Sequence, residues 1–98
     1  MRVIESKSMP PIGPYSAGIS IPAGSELVFF SGVIPQQVGP SMSFWNETRS
    51  VFDRLTGLLD ENGFSLRDIV DVTAFIVDLP ENGAEFNEIY AERMPEPY

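Results

Sequence analysis

Three short stretches carry side chains able to do chemistry: "IGPYSAG", "FFSGVIP" and "EFNEIY". In the first, the Tyr15 hydroxyl and Ser16 are polar handles at a cleft. The plainer reading, a tight turn, stands ahead of it on composition: Gly13 takes an unusual φ, Pro14 fixes the next, and the Tyr15 ring packs. In the second, Ser31 and Gly32 follow an apolar run. They place a hydroxyl and an unshielded backbone N–H at a strand end, where ligand groups are often bound. A bend relieved by glycine explains the same pair equally well. In the third, Asn87 sits beside Phe86 and Tyr90, and its amide both donates and accepts. Helical asparagines are more often solvated or capping, so alone this is a weak signal.

What is missing narrows the chemistry further. The chain has no His and no Cys, which removes imidazole triads, thiol nucleophiles, zinc fingers and disulfides. Neither a Walker A loop nor a G-x-G-x-x-G run occurs among its eight glycines, so no nucleotide-binding signature is present. The net charge of −8, with only six scattered Lys and Arg, argues against nucleic acid, because phosphate binding needs clustered cations. Of the fourteen carboxylates, no pair is isolated at a spacing that demands acid–base work. Glu81, Glu85, Glu88 and Glu92 read as a solvated helix face. No metal ligand set and no cofactor motif is expected.

These groups need a scaffold. Ninety-eight residues, 43% hydrophobic and 20% charged, suit a single globular domain spanning 1–98. No run approaches the ~20 apolar residues of a membrane span. The start, "MRVIESKSMPP", has no apolar signal core, and a cytoplasmic protein is the default reading. Residues 16–21 and 26–31 flank the turn cluster "PAGS" and read as a β-hairpin, with "LVFF" apolar enough to be covered on both faces. A loop follows, in which Pro35, Gly39 and Pro40 block regular structure.

From Phe44 the period becomes helical. Phe44, Trp45, Thr48, Val51, Phe52, Leu55, Leu58 and Leu59 form one stripe, with Ser43 as N-cap and Gly63 ending the helix. Trp45 and Phe52 lie on that stripe, which makes them core rather than a ligand box. "SLRD" offers a short capped turn at 65–68. "IVDVTAFIV" alternates as a third strand, "DLPENG" turns, and a second helix over 84–94 places Phe86, Ile89, Tyr90 and Met94 on one side. The expected order is β-β-α-β-α, an α+β layer of the ferredoxin-like kind, with "MPEPY" leading toward a fourth strand that is absent. A chain ending there is expected to leave strand edges unpaired and to aggregate or fold poorly.

Taken in order, "PPIGPYSAG", "VFFSGVIP", "ETR", "ENGFSLRDIVDVTAFIVDL" and "FNEIYAERMP" resemble the Rid family, the YjgF-like reactive-intermediate deaminases. The resemblance covers nearly the whole chain. It implies a chorismate-mutase-like subunit in a homotrimer, with a barrel-like core, helices outside and three clefts between subunits. It implies cofactor-free hydrolysis of imines and enamines such as 2-aminoacrylate to 2-keto acids and ammonia. An imine is already reactive, so placing it beside water can suffice. By resemblance Tyr15 and Ser31 line the cleft as catalytic residues, Gly32, Val33 and Ile34 meet the ligand through backbone, and Asn87 closes it. The family's carboxylate-binding arginine, in a "P-A-R-[ST]" segment, and its water-orienting glutamate would lie beyond Tyr98; Arg93 is a poor substitute. Ala17 and Val33 stand where the family often has Gln, and the loop after Pro35 is short by a few residues. A non-catalytic trimer binding small carboxylates is the alternative. The translation-inhibitor or ribonuclease activity described for some relatives ranks last, given the charge.

Overall fold

In the computed structural model, residues 1–36 and 43–96 are described. The loop positions Gly39 and Pro40, and Pro97 and Tyr98 at the end of "MPEPY", lie outside them. The order of elements is β1 (Arg2–Ile4), β2 (Gly18–Ser20), α1 (Phe44–Glu61), a 3-10 turn (Leu66–Asp68) and α2 (Leu79–Arg93), a small α+β domain.

α1 begins where the sequence caps it. Ser43 has extended backbone, and its side chain accepts a hydrogen bond from the Asn46 N–H at 3.2 Å. One of the helix's orphan donors is thereby satisfied. At the other end Gly63 has φ +78°. Its N–H donates to the Asp60 carbonyl at 3.3 Å, and the Phe64 N–H donates to Leu59 at 2.9 Å. This is the paired bonding of a Schellman stop. A Cβ on Gly63 would touch nothing within 4 Å, so the requirement is conformational. Gly63→Ala is expected to cost about 1–2 kcal/mol, read from urea melts. An unchanged midpoint would mean that α1 does not need a left-handed residue to end.

α2 starts five residues earlier than the apolar pattern placed it. Asp78 is the N-cap, with φ 53°, and Pro80 lies in the first turn. Proline suits that position because its missing N–H would find no partner there. The Asn82 side chain donates to the Val77 carbonyl at 2.8 Å and ties the first turn to the chain that enters it. "DLPENG", read as a turn, is therefore helical from Leu79 onward.

The two helices share the core. Phe52, Ile89 and Met94 are buried, and Trp45, Leu66, Ile69, Phe86 and Tyr90 pack against them. Phe52 faces Tyr90 edge-on at 6.0 Å between ring centroids and lies 6.5 Å from Phe86. The expectation that Trp45 and Phe52 are core residues is met. Thr48 is buried among apolar neighbours because its hydroxyl donates to the Phe44 carbonyl at 2.9 Å. At the rim, Arg93 meets Asp53 at 2.8 Å and Arg49 meets Glu92 at 3.3 Å. The 3-10 turn closes on the Ser65 N–H donating to Asp68 Oδ2 at 2.9 Å, as "SLRD" suggested.

The strands differ most from expectation. β2 falls within the predicted 16–21 strand, and "PAGS" does turn, with Gly24 at φ +84° and the Ser25 N–H donating to Pro22 at 3.3 Å. Yet the antiparallel partner of β2 is β1, in the register Arg2↔Ser20, Val3↔Ile19 and Ile4↔Gly18. A turn dictates that the chain reverses, not which strand it pairs with, and here the β-branched pair Val3 and Ile19 makes the match. Residues 26–31 and 69–77 form no ladder among the described residues. The predicted second and third strands are thus replaced by segments that leave Phe29 and Phe75 exposed.

Candidate functional site

The "GPYS" stretch is the tight turn that its composition suggests. The Tyr15 N–H donates to the Gly13 carbonyl at 2.8 Å, spanning Pro14 in a three-residue turn. The role of Gly13 is not the one expected. Its φ is not positive; a Cβ there would instead stand 3.2 Å from Tyr15 Cε1. A side chain at this position would crowd the Tyr15 ring that lies over it. Tyr15 remains half-exposed, at 52%.

Ser31 and Gly32 are exposed, Val33 is partly covered and Ile34 is exposed. Nothing lies within 4 Å of where a Gly32 Cβ would be. The backbone is therefore open to close approach on that side, as glycine at a binding position requires. On the apolar side of this run, Phe30 packs edge-on against Phe64 with centroids 6.3 Å apart. That contact anchors the stretch before Ser31 to the end of α1.

The segment is also held from α1 by two residues that the sequence did not single out. Arg54 Nη1 donates to the Ile34 carbonyl at 2.8 Å, and the Gln36 N–H donates to Ser50 Oγ at 2.9 Å. Twenty and fourteen positions separate these partners, a distance across which residue patterns carry no pairing signal. The one available hint is that Ser50 and Arg54 are four apart and so share a helix face.

Asn87 is exposed on α2. Among the described residues no hydrogen bond joins Tyr15, Ser31 and Asn87. They belong to different parts of the chain: a turn, a segment outside the helices and strands, and α2.

A concavity of about 390 Å³ lies elsewhere, between Thr56, Leu59 and Asp60 of α1, the 65–67 turn and residues 92–95. None of the predicted site residues lines it. Its charges offset one another, Asp60 and Glu92 against Arg67 and Arg93, and Arg93 is already engaged by Asp53. Among the described residues no three carboxylates gather as a metal site, and no helix is long and apolar enough to cross a membrane.

Comparison with known proteins shows what the chain is similar to. The family model described as Endoribonuclease L-PSP matches residues 5–98. A RutC family protein of Pyrococcus horikoshii is 36% identical over 100 residues, covering 97% of this chain and 76% of that protein. A RutC family protein of Pyrococcus abyssi is 33% identical over 98 residues, covering 96% of this chain and 74% of that protein. An Escherichia coli K12 protein bearing the name "Putative reactive intermediate deaminase TdcF" is 31% identical over 99 residues, covering 97% of this chain and 74% of that protein. No solved structure matches the chain.

Proposed function

Because the chain belongs to the Endoribonuclease L-PSP family, which aligns with it from residue 5 to 98, we propose that it hydrolyses reactive imines and enamines of the 2-aminoacrylate type to 2-keto acids and ammonia. The reading is carried by the likeness to TdcF, 31% identical over 97% of this chain, and to the RutC proteins beside it. In this reaction the enamine first takes a proton on carbon and becomes an imine. Water then adds to the C=N carbon, a proton moves to nitrogen, and collapse of the tetrahedral adduct expels ammonia. The imine carbon is electrophilic without metal or cofactor, so the protein has to bind, orient and admit one water.

The site would form at clefts between the subunits of a homotrimer. Tyr15 and Ser31 supply hydroxyls, Gly32, Val33 and Ile34 offer backbone, and Asn87 closes the cleft. That no hydrogen bond joins Tyr15, Ser31 and Asn87 within one chain suits an arrangement in which neighbouring copies complete each cleft.

The test is ammonia release from 2-aminoacrylate generated enzymatically in the presence of purified full-length protein. Release faster than in buffer is expected, and an unchanged rate would overturn the reading. The second reading is a trimer that binds small carboxylates without turnover. Pyruvate binding by calorimetry together with unaccelerated ammonia release would select it.

A further inference from the structure

The backbone proposed to meet substrate is gripped from behind at two points. Ile34 gives its carbonyl to Arg54 and Gln36 gives its N–H to Ser50, at 2.8 and 2.9 Å. These two groups flank Pro35, which has no N–H and a nearly fixed φ. Ser50 and Arg54 lie one turn apart on α1, an 18-residue helix capped at both ends and packed on α2. The extended segment is thus fastened to a rigid element on both sides of a rigid residue. One bond holds the Ile34–Pro35 peptide through its carbonyl, and the other holds the Pro35–Gln36 peptide through its N–H.

We infer that Arg54, assisted by Ser50, is a positioning residue that sets the backbone of Gly32, Val33 and Ile34 for ligand binding. The inference rests on the reading that this backbone meets the substrate. Arg54 acts through the peptide it holds and need not touch the ligand. A guanidinium suits the task because its planar fork gives a charge-assisted bond of defined direction to a carbonyl. The bonds are exposed, so their loss should leave the core intact while freeing the segment. That separation makes the role measurable.

The full-length protein and its Arg54→Leu, Arg54→Lys, Ser50→Ala and Arg49→Leu variants are compared by melting, by amide hydrogen exchange and by kinetics on 2-aminoacrylate. Arg54→Leu is expected to speed exchange at Gln36, whose N–H is the hydrogen-bonded amide of this segment, about tenfold or more, with α1 amides unchanged. It should raise KM about tenfold with kcat within twofold, the pattern of lost binding rather than lost chemistry. Arg54→Lys should restore most of both effects, since an ammonium also donates. Ser50→Ala, which removes the acceptor of the Gln36 N–H, should speed exchange at Gln36 at least as much and raise KM less. Arg49→Leu, which removes an ion pair to Glu92, should change neither. Unchanged exchange in Arg54→Leu would overturn the inference, as would a KM rise that lysine does not rescue or that Arg49→Leu reproduces. Faster exchange with an unchanged KM would also overturn it. A wild-type protein inactive on 2-aminoacrylate defeats the functional reading instead; the positioning role is then read from exchange together with the affinity for pyruvate.

Discussion

Phe52→Ala is expected to remove about 3–5 kcal/mol of folding stability. The ring is 5% exposed, and it meets the helix partner three ways: Tyr90 edge-on, Phe86 tilted, and the Arg93 guanidinium 5.6 Å from its centroid. Its removal leaves a cavity between α1 and α2 in the buried cluster that Phe52 shares with Ile89 and Met94. Domains of this size have only about 5–15 kcal/mol in total, so a large share of the protein would be unfolded at physiological temperature. The comparison that sharpens the result is Arg49→Ala, which breaks the exposed ion pair with Glu92 and should cost under about 1 kcal/mol. Urea melts of both variants check the prediction. A Phe52→Ala loss no larger than that of Arg49→Ala would mean that the helices are not joined through this ring.

The same contrast explains what could be read from sequence. Both helices were legible because their signals are local. The 3.6-residue stripe from Phe44 to Leu59, the Ser43 cap and the Gly63 stop each act within a turn or two. The start of α2 was misread because Pro80 and Gly83 carry the composition of a turn, although proline is compatible with a first helical turn. Strand pairing is non-local. Nothing near Ile19 says whether Val3 or a residue after Gly24 will lie opposite it. A three-residue strand such as β1 is too short to show alternation.

Site residues divide along the same line. The turn before Tyr15 could be foreseen from "GPY", but the reason for Gly13 could not, since it depends on where a ring folds back. The exposure of Gly32 agreed with the freedom its missing side chain allows. Arg54 was one of six scattered cations until the fold set it against the Ile34 carbonyl.

A second large effect concerns assembly. Phe29→Asp and Phe75→Asp are each expected to turn the proposed homotrimer into single chains at micromolar concentration. Phe29 is 90% exposed and Phe75 is 96% exposed in the single chain, within segments that also expose Leu27, Val28, Val72 and Val77. A monomer seldom leaves that much contiguous apolar surface in water, and a symmetric assembly is one way to cover it. Burying each ring is worth about 2 kcal/mol. Three-fold symmetry repeats the loss in every subunit, so the assembly forfeits roughly 6 kcal/mol per substitution, before the cost of desolvating a carboxylate. Since these rings contribute little to the α1–α2 core, the melting midpoint of the separated chain should stay near that of a dilute, dissociated wild type. Sedimentation velocity reads the mass, with Glu88→Lys on the exposed face of α2 as a variant that should leave three chains together. A wild type that sediments as one chain, or an Asp variant that still sediments as three, would sink the assembly. If the clefts lie between subunits, ammonia release from 2-aminoacrylate should fall in step with the loss of mass. The activity of a separated chain would then be lost even though Tyr15, Ser31, Gly32 and Asn87 are all still in place.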